Sequence, residues 1–95
     1  MITRIVKLTI KEDCISEFSK FLKEIEHSIR AVKGCSELQL IQNKYKPQIF
    51  MTYSIWNNEA DLNNYRNSDL FSTIWPKAKH CFDAKPEADT FIASR

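Results

Sequence analysis

Apolar and polar residues alternate from Ile2 to Ile10. Ile2, Val6, Leu8 and Ile10 share one phase; Thr3, Ile5, Lys7 and Thr9 share the other. A period of two in a segment rich in β-branched residues predicts a strand. Lys11, Glu12 and Asp13 break the pattern, and Asp13 has the chemistry of a helix N-cap. From Cys14 to Lys33 the period lengthens. Ile15, Phe18, Leu22, Ile25, Ile29 and Val32 recur at spacings of three and four, as one apolar helical stripe requires. Glu26 and Arg30 stand in the favourable i,i+4 order. Gly34, the only glycine in the chain, follows as a stop signal and predicts a left-handed turn into the next strand.

Cys35 to Asn43 alternates again, with Leu38 and Leu40 in one phase and Ile41 in the other. Asn43 to Gln48 holds Pro47 among polar residues and predicts a hairpin loop. Ile49 to Trp56 is a third strand. Ile49, Met51, Tyr53 and Ile55 form one face, and Phe50, Thr52, Ser54 and Trp56 the other; both carry apolar bulk. Asn57 or Asn58 then caps a short helix reaching about Asn67. Ser68 caps a second, with Asp69 in its first turn where the helix dipole favours an acid. Pro76 lies inside that second segment and is expected to kink or restart it, since it lacks an N–H. Asp83 to Glu87 is a loop, and Ala88 to Ser94 a short final strand.

The order is β-α-β-β-α-β with a broken second helix. It predicts an α+β, ferredoxin-like fold: a four-stranded antiparallel sheet with its helices on one face. The other face would be bare. Ile5, Ile41, Phe50, Trp56 and Ile92 are expected to line it. A patch of that kind marks an interface, and a twofold homodimer closing sheet against sheet would cover it.

Composition narrows the picture. Ninety-five residues suit one domain, and 43% hydrophobic with 12% aromatic residues suits a folded core. A net charge of +2 without a basic run argues against nucleic acid. No apolar stretch approaches the roughly 18–20 residues that cross a bilayer, so no membrane role is expected. The N-terminus lacks the apolar segment of a signal peptide, which predicts a soluble, cytoplasmic protein. Cys14, Cys35 and Cys81 are odd in number and show no CxxC spacing. They argue against a disulfide framework or a zinc site and are expected to pack as small side chains.

One stretch concentrates the candidate chemistry. Both tryptophans, two of the three tyrosines and one of the two histidines fall between Ile49 and Phe82. Phe18 with Phe21, the helix end Val32-Lys33-Gly34-Cys35, and Tyr53-Ser54-Ile55-Trp56 followed by Glu59, Leu62, Tyr65, Ser68 and Phe71 resemble the antibiotic biosynthesis monooxygenase (ABM) family. The resemblance covers nearly the whole chain and implies one ABM-like domain over residues 1–95, built as a dimeric α+β barrel. The family is chemically mixed. It holds cofactor-independent oxygenases of aromatic polyketides, quinol oxygenases and haem-degrading enzymes. The haem-degrading branch uses an asparagine, a tryptophan and a histidine where this chain has Lys7, Tyr65 and Trp75, which disfavours haem degradation here.

The resemblance therefore implies a cofactor-independent monooxygenase acting on a small aromatic, phenolic or quinone-like molecule. His80 is the candidate for proton transfer, because imidazole titrates near neutral pH. Tyr65 is its candidate catalytic companion through a hydroxyl hydrogen bond. Trp75, Phe71 and Trp56 would wall a flat ring, Tyr53 would bind a substrate oxygen, and Arg66 would steady an anionic one. His27, among Glu24, Glu26 and Arg30, belongs to the surface. No phosphate loop, catalytic triad, metal motif or cofactor motif occurs, so no cofactor and no metal are expected. The competing reading is a noncatalytic dimeric module that binds a small apolar ligand or serves a structural role.

Overall fold

The computed structural model describes residues 1–93. Strand β1 (Ile2–Thr9) leads through a 3₁₀ turn at Glu12–Cys14 into helix α1 (Ile15–Arg30). Strands β2 (Cys35–Gln42) and β3 (Ile49–Trp56) form a hairpin. Helices α2 (Glu59–Arg66) and α3 (Asp69–Lys79) follow, and strand β4 (Glu87–Ile92) closes the chain. The sheet order is β2-β3-β1-β4 with every neighbouring pair antiparallel. This is the ferredoxin-like α+β arrangement that the pattern predicts.

The local signals act where the sequence places them. Gly34 has φ +88°, and a Cβ there would run into the side chain of Asp61. Glycine is thus required twice, by the left-handed backbone and by the close approach. The Asn58 side chain accepts the Asp61 N–H at 2.8 Å and caps α2. Ser68 caps α3 by accepting the Phe71 N–H at 3.2 Å, and its hydroxyl donates to the Tyr65 carbonyl at 2.6 Å.

Other expectations are corrected. Asp13 does not cap α1; it lies inside the 3₁₀ turn, and the helix starts after Cys14 without a side-chain cap. Pro76 does not restart the helix, since α3 runs continuously from Asp69 to Lys79. The break falls earlier, at Asn67 and Ser68, between the two helices. The last strand begins at Glu87 and ends at Ile92; Ser94, assigned to it from sequence, lies outside the described residues.

The two faces of β3 are also reassigned. Phe50 (3% exposed) and Trp56 (1% exposed) are buried and not part of the bare face. Phe50 packs with Leu8, Ile10, Phe18 and Leu22, under the apolar stripe of α1. The helices cover this phase of the strand, so its large residues form the core. The open face carries the other phase: Met51, Tyr53 and Ile55, with Ile5 opposite Tyr53 and Ile41 opposite Met51. On β4 it carries Phe91, opposite Thr3. Ile92 stands opposite Ile2 in the other phase.

Candidate functional site

A cavity of about 690 Å³ lies between the helix-covered face of the sheet and helices α1, α2 and α3. Its floor comes from the buried phase of β1 and β3, including Val6, Leu8, Thr52 and Trp56. Its wall is aromatic. Trp56 stacks on Tyr65 with centroids 5.1 Å apart and 24° between planes. Tyr65 meets Phe71 edge to face at 5.3 Å. Phe71 stacks on Trp75 at 5.6 Å and 12°. Trp75 meets Phe82 edge to face at 5.4 Å. Offset-stacked and edge-to-face pairs are the favoured aromatic geometries. A row of five rings therefore runs along one side of the cavity.

Local sequence explains why these rings meet. Trp56 ends β3 in the inward phase, and its indole N–H donates to the buried Ser54 hydroxyl at 2.9 Å. Ser68 locks the turn between α2 and α3, fixing Tyr65 on one side and Phe71 on the other. Phe71 and Trp75 are four residues apart on α3 and so lie on one helical face. Burial pushes the Tyr65 phenol up to about 12, with nearby Cys35 adding to it. At neutral pH Tyr65 is thus a hydrogen-bond donor and acceptor and does not act as a base.

The charged residues lining the cavity are all cations: Arg4, Arg66 and Lys85. Arg66 and Lys85 are exposed and mark its rim, together with Asn63 and Asn67. Arg4 is half-buried on β1 and donates to the Thr90 hydroxyl at 2.9 Å. Its guanidinium is held below the usual arginine range, first by burial and then by the like charge of Arg66; Asp89 opposes the shift. No carboxylate lines the cavity among the described residues. The site combines aromatic and apolar walls with three lining cations and no lining carboxylate among the described residues.

The structure thus brings together Tyr65, Phe71, Trp75, Trp56 and Arg66 of the residues singled out from sequence. Two others stand elsewhere. Tyr53 lies on the open face of the sheet, because its phase on β3 is opposite to that of Trp56. His80 follows α3 on the outside of the molecule, where its Nε2 pairs with Glu17 Oε2 at 2.6 Å. Arg4, Phe82, Phe18 and Lys85 join the lining without having been singled out. Arg4 had a legible signal. It is a charged residue in the apolar phase of β1, in line with Ile2, Val6 and Leu8.

The fold and this pocket define a small α+β protein with an aromatic-walled cavity between sheet and helices. Residues 1–76 match the family model described as antibiotic biosynthesis monooxygenase, and the chain belongs to that family. Solved structures agree. A conserved protein from Methanosarcina mazei Go1 is 25% identical, with TM-score 0.88 over 96% of this chain and 91% of that one. A structure described as an antibiotic biosynthesis monooxygenase superposes with TM-score 0.93 over the full length of both chains at 18% identity. A Mycobacterium tuberculosis protein gives TM-score 0.89 at 13% identity, over 99% of this chain and 95% of that one. The latter two speak for the fold alone. No curated protein matches the chain. Among the described residues, no helix is long and apolar enough to cross a membrane.

Proposed function

We propose that this chain is a cofactor-independent monooxygenase of a small, electron-rich phenol or quinol-like molecule, working as a homodimer. One observation carries the reading: a cavity of about 690 Å³ with flat aromatic walls, three cations and no carboxylate among its described lining residues. Such a site favours a planar apolar body ending in an anionic oxygen. The rings of Trp56, Tyr65, Phe71 and Trp75 hold the body. Arg4, Arg66 and Lys85 stabilise the phenolate electrostatically, so the phenol ionises without a dedicated carboxylate or imidazole base. Its proton leaves to solvent at the rim.

The phenolate is the electron donor. For a substrate with an activated ring methylene, dioxygen supplies both oxidant and oxygen atom. The methylene loses two hydrogens and gains one oxygen as a carbonyl; the second oxygen leaves as water. The protein contributes desolvation, orientation and charge. Tyr65, neutral at working pH, donates a hydrogen bond to the developing carbonyl oxygen. His80 has no part in this scheme, because its imidazole lies outside the cavity.

The homodimer follows from the open face. Ile5, Met51, Tyr53 and Ile55 are half-buried there, and Ile41 and Phe91 are 46% and 48% exposed. An apolar sheet face of this kind is what a second copy would cover.

Oxygen uptake by purified protein against a panel of hydroquinones and anthrone-type phenols tests the reading. The expected result is uptake without added flavin or metal, one dioxygen per molecule of carbonyl product. Tight binding of these phenols with no oxygen uptake would instead establish the noncatalytic binding module.

A further inference from the structure

Outside the cavity, the start of α1 and the end of α3 bring three metal-ligating side chains together, with a fourth beside them. Cys14, Glu17 and Cys81 each offer one donor atom, and these atoms lie within 4.8 Å of one another. His80 is the fourth. Its Nε2 is 2.6 Å from Glu17 Oε2 and 3.5 Å from Cys81 Sγ. Cys81 Sγ is also 3.5 Å from Glu17 Oε2. We infer that Cys14, Glu17 and Cys81 bind a thiophilic divalent cation of the Zn²⁺ class, with the exposed His80 closing on it as the fourth ligand of a tetrahedral site.

The distances around Cys81 fit that geometry. Zinc binds sulfur at about 2.3 Å and nitrogen or oxygen at about 2.0–2.2 Å. A tetrahedron with those bonds separates sulfur from nitrogen or oxygen by about 3.5 Å, as found on both sides of Cys81. Nitrogen and oxygen need about 3.3 Å, so the Glu17–His80 pair has to open slightly. Both side chains can move, being 60% and 59% exposed. The donor set of two thiolates, one imidazole and one carboxylate suits zinc better than a hard cation such as magnesium.

The backbone holds the two sulfurs. The Lys11 N–H donates to the Cys81 carbonyl at 2.8 Å, and the Lys11 carbonyl accepts the Cys14 N–H at 2.9 Å. One residue thus ties both cysteines to the end of β1. Ile10 and Phe82 pair across the same junction. Lys20, Glu24 and Lys77 border a shallow depression lined by Glu17, His80 and Cys81; Cys81 is 1% exposed, so a cation reaches it past the exposed Glu17 and His80. Binding would exchange two thiol protons for the cation and bridge α1 to α3.

Cobalt titration of the reduced full-length chain tests the site. One Co²⁺ per chain is expected, with the strong visible bands of a tetrahedral site and a near-ultraviolet thiolate-to-cobalt transition. One equivalent of Zn²⁺ should bleach both and raise the thermal midpoint. Glu17→Gln and His80→Ala alter exposed side chains and should leave the fold intact. Each should weaken Co²⁺ binding by at least the roughly 10–100-fold that losing even an outer-shell partner costs. Cys14→Ser should diminish the thiolate band. Reduced, folded protein that gives no thiolate band would overturn the assignment. So would unchanged affinity in both exposed variants, or a Cys14–Cys81 disulfide that, once reduced, leaves two thiols that take up no cobalt.

Discussion

Strand β3 presents two apolar faces with opposite fates. Phe50 and Trp56 are 3% and 1% exposed, against the helices, whereas Met51, Tyr53 and Ile55 of the other phase remain only half-buried. The residue types on the two sides are nearly equal in hydrophobic bulk. What separates them is the partner. The stripe Phe18, Leu22, Ile25 and Ile29 of α1 needs a surface to bury against, and the phase of Phe50 provides it. The teaching is that hydrophobicity fixes the amount of surface a strand wants covered, while helix placement fixes which side is covered within one chain.

Substitutions on the two faces should therefore separate cleanly. Phe50→Ala should cost about 3–5 kcal/mol of stability, the usual loss for a fully buried aromatic. It sits edge to face with Phe18 at a centroid distance of 5.1 Å. Thr9→Ala, on the open phase, should stay within about 0.5 kcal/mol. Urea denaturation measures both, and equal losses would erase the distinction between the faces.

The open face should matter for assembly instead. Sedimentation equilibrium at micromolar concentration should give twice the chain mass of 11.2 kDa. Met51→Lys should return it to the single-chain mass while circular dichroism keeps the α+β spectrum. A wild-type monomer would leave the open face without its proposed function.

Ligand binding should follow the covered side. Trp75→Ala should weaken binding of a planar phenol by about 1–3 kcal/mol, the scale of a lost aromatic contact. Tyr53→Phe, which alters only the open side, should not change it. Fluorescence titration reads both. If the Trp75 variant binds every tested phenol as the parent does while staying folded, the cavity is not the binding site.

The smallest effect is on alkaline stability. The folded-state value of Tyr65 is raised, so its contribution is fully present below the ordinary tyrosine value of 10. It is lost as pH rises toward about 12, because the unfolded chain ionises first. The stability of the parent should fall more steeply with pH over that window than that of Tyr65→Phe. Identical slopes would mean that the phenol is not held neutral by burial.

Much of the fold is legible in the residues themselves. The period-two segments, the α1 stripe, the lone Gly34, and the caps Asn58 and Ser68 act locally, through sterics and short-range hydrogen bonds, and they fall where the pattern puts them. The aromatic wall is legible in part for the same reason: Phe71 and Trp75 are one helical turn apart, and Tyr65 is one turn-locking serine away.

What the sequence by itself could not settle depends on contacts between distant residues. The phase of β3 that faces the helices, the entry of Arg4 into the cavity, and the exile of His80 from it all require the packing of α1 and α3 on the sheet. The cysteines make the same point. Spacing along the chain shows no metal motif, yet Cys14 and Cys81, 67 residues apart, meet beside Glu17 and His80. Local chemistry selects each element. Only the burial of one element against another decides which side chains share a site, because that free energy belongs to pairs of surfaces and not to any single stretch of residues.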